Sequence, residues 1–297
     1  MILVTGGNGL QGQPLCDCLV EMGQEVVSIS RHPLNVEHYI STYGDVTDKA
    51  GMAEIFKKYG IHAVVHMVSL LNTQSRLNPD RAVRVNVIGT LNLLELCKEL
   101  GVKRFVYGSS YNAVGSRPFS ELPVDETVEP LPNDFYGECK RYIEKLGIAF
   151  GGLNDIEFVS ARLPMLVGPG APVGTSAWRM EIFNKLVSGG QIDLLFGPEE
   201  VLPLAHVNDA AYAVSVLALP QKPQHEIYYV PSEPLQAKKL AEMVERIGTG
   251  IQITFGSRKV EGMPCVANSE RIKKEFRFEP MSIEERLSTY RQALLNA

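Results

Sequence analysis

No run of about 18 uninterrupted apolar residues occurs in this chain, so it reads as lacking a membrane-crossing helix. Tryptophan occurs once and histidine six times, the histidines scattered without ligand spacing, so no metal site is expected. Cysteine is sparse as well. Cys16, Cys18, Cys97, Cys139 and Cys265 are odd in number and irregularly spaced, which excludes a disulfide framework and fits reduced thiols in a cytoplasm. Cys16 and Cys18, two apart on a helix, face different ways and make a poor metal clamp. Basic residues are in deficit: 29 Lys and Arg against 34 Asp and Glu leave a net charge of −5, which advertises neither nucleic acid nor an anionic membrane as partner. The charged lead of an export signal is missing from Met1-Ile2-Leu3-Val4-Thr5, which reads at once as a strand. Internal repeats and low-complexity tracts are lacking too. What is present is ordinary globular composition, 297 residues with 45% hydrophobic, enough for one large domain with a smaller partner.

The first half alternates two periodicities. Short β-branched runs at Ile2–Thr5, Glu25–Ser30, Ala63–Met67, Arg104–Tyr107 and Glu157–Ala161 read as strands buried on both faces. Helical stretches separate them, at Gly12–Met22, Lys49–Tyr59, Asp80–Leu100 and Tyr136–Phe150, with Gly23, Gly60 and Gly101 where left-handed caps are wanted. This alternation means an α/β fold with a doubly wound parallel sheet. After the turn-rich Gly168-Pro169-Gly170-Ala171-Pro172 the texture becomes less regular. Ala205–Leu217 reads as a strand end feeding a helix, and Gln236–Ile247 and Ser282–Leu295 as amphipathic helices. We expect a dinucleotide-binding domain over residues 1–164, with about 204–231 returning to it. A smaller substrate lobe is expected from about 165–203 and 232–297.

Gly6, Gly9 and Gly12, in Thr5-Gly6-Gly7-Asn8-Gly9-Leu10-Gln11-Gly12, recur every third residue directly after the first strand and open the first helix. Backbone without Cβ atoms can approach a pyrophosphate there, and the helix N-terminus favours its charge. The second strand ends in Ser30-Arg31, with no carboxylate to hold an adenosine ribose. A hydroxyl donor and a guanidinium suit a 2′-phosphate, which predicts NADP over NAD. Asp45 and Val46 of Gly44-Asp45-Val46-Thr47-Asp48 follow a short strand at the adenine end, and Asp48 reads equally as a helix cap. Tyr136 and Lys140 stand one helical turn apart on one face, and Ser110 follows the strand through Tyr107. A phenol titrating near pH 10 needs a nearby positive charge to work as a base, and Lys140 is expected to supply it together with oxidised nicotinamide.

The glycine loop, Gly44-Asp45, Asn86-Val87-Ile88-Gly89-Thr90-Leu91-Asn92, Ser109-Ser110, and Tyr136 with Lys140 stand in one order. Arg162-Leu163-Pro164, Gly168-Pro169-Gly170 and His206-Val207-Asn208-Asp209-Ala210-Ala211 follow them. Across nearly its whole length the chain resembles the extended short-chain dehydrogenases/reductases, the family of sugar-nucleotide epimerases, dehydratases and related ketone reductases. The resemblance implies a Rossmann-type sheet with a small C-terminal substrate lobe. It also implies a homodimer through the helices bearing Asn86 and Tyr136, and a small-molecule substrate. By matching position, Ser110 holds the substrate oxygen, Tyr136 moves the proton and Lys140 grips the nicotinamide ribose. Gly6, Gly9, Leu10, Gly12, Ser30, Arg31, Asp45, Val46 and Asn86 are the further cofactor-binding candidates, and Ser109 is the lesser candidate beside Ser110.

The departures concern the substrate. The family's nucleotide-contacting Asn position is Met165, and the stretch that usually carries a phosphate-binding Arg reads Val201-Leu202-Pro203-Leu204. Val68 and Val114 replace the residues usual at their places, and Trp178 and Met180 flank Arg179, suggesting an apolar pocket. His66 and His206 read as structural histidines, and Glu121, Asp125 and Glu126 as a solvated loop cluster. Two activities remain open: alcohol–carbonyl oxidoreduction with NADP, or sugar epimerisation with tightly held NAD.

Overall fold

The computed structural model describes residues 1–171 and 176–296, so Pro172 of the turn-rich stretch lies outside the described residues. Twelve strands are formed among the described residues. They are β1 (Ile2–Thr5), β2 (Val26–Ser30), β3 (Ile40–Tyr43), β4 (Ala63–His66), β5 (Arg104–Ser110) and β6 (Glu157–Leu163). The others are β7 (Met165–Val167), β8 (Gly190–Phe196), β9 (Val201–His206), β10 (Ile227–Tyr229), β11 (Glu233–Gln236) and β12 (Ile251–Arg258). The helices of the first half are α1 (Gly12–Glu21), α2 (Lys49–Tyr59), α3 (Asn72–Leu77), α4 (Pro79–Ala82), α5 (Gly89–Leu100) and α6 (Phe135–Asn154). Those of the second half are α7 (Trp178–Asn184), α8 (Val207–Ala218), α9 (Ala237–Ile247), α10 (Glu270–Phe276) and α11 (Ile283–Asn296). The continuous helix expected over 80–100 is interrupted by a π-helical turn, Val83–Ile88, between α4 and α5.

Seven strands make one parallel sheet in the order β10-β6-β5-β4-β1-β2-β3. β1 lies between β2 and β4, with Leu3 opposite Val27 on one side and Val64 on the other. The successive side chains of each strand go to opposite faces, and both faces are covered. Ile2, Val4, Val65 and Val106 pack with Leu15 and Leu19 of α1 and Ala210 and Val214 of α8. Leu3, Val64 and Phe105 pack with Phe56 of α2, Leu93 of α5 and Phe158. Gly23, Gly60 and Gly101 all adopt left-handed conformations after their helices. The chain order reverses between β1 and β4, and in an open parallel sheet the crevice outside the carboxyl ends of such strands is where ligands sit.

β7, β9 and β11 form a second sheet, with β7 parallel and β11 antiparallel to β9, while β8 pairs parallel with β12. α7, α9 and α11 pack on them around Trp178, Phe183, Ile192, Leu202, Leu240 and Leu287. β10 returns to the large sheet beside β6, and Ile272 of α10 and Phe278 pack in the large sheet's core. Among the described residues no helix is long and apolar enough to cross a membrane.

Candidate active site

β1 runs directly into the glycine loop. Gly6 takes φ +78° and its N–H donates to Ile29 O, while Gly9 N–H donates to Gly6 O at 2.9 Å and Gly12 N–H to Gly9 O at 3.0 Å. The turn is so tight that a Cβ on Gly12 would stand 2.1 Å from Gly6 O. Gly7, not singled out from the sequence, is equally constrained, because its Cβ would stand 1.6 Å from Ser28 Oγ. The adjacency of the two glycines was the available signal. A bare backbone cradle at a helix start, with side chains sterically excluded, fits a dinucleotide pyrophosphate.

From this cradle a cleft of about 630 Å³ runs along the ends of β1, β2 and β4. Gly6, Gly9, Ser30, Arg31, Asp45 and Val46 all line it, together with Met67–Leu70. Ser30 and Arg31 lie at one rim, where Ser30 Oγ accepts from His32 N–H at 3.1 Å. Arg81 and Arg84 also line the cleft, helical residues that no motif in the sequence marked. Asp45 is partly engaged with its own turn, its Oδ1 accepting from Thr47 N–H at 2.9 Å and Thr47 Oγ1 at 2.7 Å. Asp48 caps α2 by accepting from Gly51 N–H.

Asn86 does not reach the cleft by its side chain. Its Oδ1 accepts from Leu70 N–H at 2.7 Å and its Nδ2 donates to Leu70 O at 3.0 Å, so it shapes the cleft wall at second hand. The same wall is held by His66. Thr90 Oγ1 donates to Asn86 O, so its oxygen receives the proton of His66 Nε2, and Nδ1 is left to accept from Thr5 Oγ1. Thr5 Oγ1 in turn accepts from Met67 N–H and Val68 N–H. This chain needs a neutral imidazole, and burial, aided by the Lys140 charge, pushes the His66 pKa down to about 3. His206 is likewise structural, its Nδ1 accepting from Asn208 N–H at the start of α8.

β5 carries the two serines to its carboxyl end on opposite faces. Ser109 Oγ donates to Glu144 Oε1 at 2.7 Å and is fully occupied, whereas Ser110 Oγ stands at the turn opening Tyr111–Ala113, donating to Asn112 Oδ1 at 3.1 Å. α6 begins against the same turn. Asp134 caps it by accepting from Gly137 N–H at 2.7 Å and also accepts from Asn112 Nδ2 at 2.9 Å. Gly137 permits this approach, since a Cβ there would stand 2.3 Å from Asn112 O. The consequence is that Tyr136 comes beside Ser110. Burial pushes the Tyr136 phenol up to about 12, while the hydroxyls of Ser110 and Ser69 and the charge of Arg179 pull the other way.

Lys140 is buried against β5. Its Nζ donates to Gly108 O at 2.6 Å and lies over the Tyr107 ring, 4.6 Å from the centroid, with the Tyr136 ring 5.5 Å away. Burial lowers the Lys140 pKa to about 7, partly offset by the Glu144 charge. Glu126 corrects the sequence reading. Its side chain is 4% exposed, accepts from Tyr229 N–H at 3.1 Å and pairs with Arg271 at 3.5 Å, so it joins β10 to α10 rather than facing solvent.

Residues 2–230 match the model of a family described as the NAD dependent epimerase/dehydratase family. The chain belongs to that family. Among curated relatives, the putative UDP-glucose 4-epimerase of Methanocaldococcus jannaschii is 28% identical over 220 residues, 72% of each chain. The mitochondrial L-threonine 3-dehydrogenase of Bos taurus is 26% identical over 266 residues, 86% of this chain and 70% of its own. The family fold is equally plain in solved structures. A GalE-like L-threonine dehydrogenase from Cupriavidus necator superposes with a TM-score of 0.88 at 21% identity, covering 99% of both chains. The Thermus thermophilus UDP-glucose 4-epimerase in complex with NAD gives 0.84 at 22% identity, covering 100% of this chain and 99% of that one.

Proposed function

We propose that the protein is an NADP-preferring oxidoreductase that interconverts an alcohol and a carbonyl on a small or medium-sized organic substrate. The observation that carries this reading is the convergence of Ser110, Tyr136 and Lys140 at the carboxyl end of β5, with the Tyr136 phenol meeting Ser69 in the wall of the cleft. Gly6, Gly9, Leu10 and Gly12 would hold the pyrophosphate, Val46 and Asp45 the adenine, and Lys140 the nicotinamide ribose. When bound, nicotinamide supplies the hydride acceptor or donor. Tyr136 exchanges the proton with the substrate oxygen, and Ser110, helped by Ser69, orients that oxygen. With its pKa about 12, the phenol carries its proton at neutral pH, the form that donates to a developing alkoxide.

Ser30 and Arg31, where a carboxylate would select NAD, support NADP, and Arg81 and Arg84 add positive charge to the cleft wall. A homodimer through the helices bearing Asn86 and Tyr136 is part of the proposal. It is supported by the exposed apolar side chains Val83 and Ile88 on one and Tyr142 on the other.

The competing activity, sugar epimerisation with retained NAD, draws on the likeness to the Methanocaldococcus protein; the Bos taurus relative is a dehydrogenase. Against a nucleotide-sugar substrate, Met165, Leu202 and Leu204 are at most 4% exposed and fill the second core, so they offer a nucleotide neither amide nor cation. The deciding experiment incubates the enzyme with NADPH and a panel of ketones and keto acids. Net NADPH consumption that Tyr136→Phe abolishes is expected. Co-purified NAD with sugar isomerisation and no net redox change refutes the reading.

A further inference from the structure

We propose that Arg179 is a specificity-determining residue that pairs with a carboxylate on the substrate, close to the carbon whose oxygen meets Tyr136. This rests on the oxidoreductase reading above and names its substrate class as 2- or 3-hydroxy acids and the matching oxo acids.

α7 is clamped into the second lobe by Trp178, Met180, Ile182 and Phe183, all buried, which leaves Arg179 and Glu181 of its first turn outside that core. The backbone fixes its position, because Arg179 O accepts from Gly168 N–H just after β7. The following Gly170 approaches both Leu10 of the glycine loop and Met180, at 3.4 and 3.7 Å from where its Cβ would stand. The start of α7 therefore hangs over the cofactor cradle. Arg179 Nε is shut off from solvent, and among the described residues it has no hydrogen-bond partner. The guanidinium packs near the Trp178 ring, 5.8 Å from its centroid. The Tyr136 phenol favours its charged form, and burial lowers the Arg179 pKa only to about 10, so the group is charged at neutral pH.

A charged guanidinium whose buried Nε has no partner among the described residues calls for an anion, and its planar fork matches a carboxylate through two parallel hydrogen bonds. A diphosphate fits less well. The other nearby cation on α7, Lys185, is committed to Glu181 and to Gln191 O, and the flanking Trp178 and Met180 are apolar. One fork therefore faces one singly charged group. Its charge acts on the Tyr136 phenol, which favours substrates whose carboxylate lies near the reacting oxygen.

The test uses the full chain saturated with NADPH or NADP and titrates lactate, 3-hydroxybutyrate and the corresponding neutral amides, reading the fluorescence of bound NADPH or a thermal shift. The acids should bind about ten- to a hundredfold more tightly than their amides. Arg179→Met should erase that preference while leaving cofactor affinity and amide binding unchanged, and Arg179→Lys should restore part of it. Equal binding of acid and amide, an acid preference that survives Arg179→Met, or no binding by any acid overturns the proposal. An Arg179-dependent acid preference without Tyr136-dependent redox turnover supports it and counts against the oxidoreductase reading instead.

Discussion

Glu144 grips Arg162 with both carboxylate oxygens, Nε to Oε1 at 3.0 Å and Nη2 to Oε2 at 2.8 Å, and neither side chain is more than 2% exposed. The pair is not isolated. Ser109 and Ser160 also donate to Glu144 Oε1, and Arg162 Nη1 donates to Tyr229 Oη. One carboxylate on α6 thus ties β5 and β6 to the helix that carries Tyr136 and Lys140, and through Arg162 reaches β10. Glu144 stands one turn beyond Lys140 and its charge raises the lysine's pKa, partly offsetting burial.

Removing one partner leaves the other charge buried and bare. Glu144→Ala should therefore cost about 3–5 kcal/mol of stability, measured by urea denaturation. Glu144→Gln, which keeps acceptor capacity for the serines, should lose less. A change under about 1 kcal/mol in Glu144→Ala, within the range of exposed pairs, would contradict the account.

The glycine cradle makes a paired prediction. Gly12→Ala drives a Cβ against the backbone oxygen of Gly6 and should abolish NADPH binding by calorimetry. Gly152→Ala, in α6 with open space around the new methyl, should raise stability by about 0.5–1 kcal/mol through helix propensity. Undiminished cofactor binding by Gly12→Ala would remove the cradle from the argument.

His66 predicts an acid limb of stability. Its folded pKa of about 3 lies below the ordinary value of 6.5, so the unfolded chain binds the extra proton. Stability should therefore fall as pH drops from 6.5 towards 3, at up to about 1.4 kcal/mol per pH unit for this group. His66→Gln, which can still donate to Thr90, should be somewhat less stable at pH 7 and lose one proton from the slope of unfolding free energy against pH. An unchanged slope would show that His66 does not titrate on unfolding.

Tyr136→Phe should lower turnover by at least about a thousandfold with the NADPH dissociation constant little changed, because the ring stays and only the proton carrier goes. Ser110→Ala should retain more activity, since Ser69 also faces the phenol. Steady-state rates and a fluorescence titration on the same samples separate the two effects.

Arg31→Ala should weaken NADPH binding by about tenfold or more while leaving NADH little affected, the loss expected for one charge-assisted hydrogen bond. Ser30→Asp should further favour NADH, through a ribose acceptor that repels a 2′-phosphate. Parallel titrations with both reduced cofactors read this directly, and tighter NADH binding by the unaltered protein would refute the cofactor preference.

The sheet, its parallel sense, the glycine loop and the left-handed caps at Gly23, Gly60 and Gly101 were legible in the chain because each follows from local rules. Buried strands must be continuously apolar, helices must be amphipathic, and a turn with positive φ favours glycine. The order of the motifs was enough to name the family. Matching position favoured Ser110 over Ser109, and tertiary structure adds the reason, since Ser109 on the other side of β5 is engaged with Glu144. Tertiary structure also decided that Asn86 works through Leu70, that the Glu126 side chain is covered, and that Lys140 packs over the Tyr107 ring. Arg179, in a short helix outside the ordered motifs, stood in the sequence only as a cation between apolar neighbours, and its unpartnered Nε emerged with the fold. Spacing along a sequence fixes local geometry, but desolvation and charge coupling depend on every group that packs around a site, and those neighbours come from distant segments.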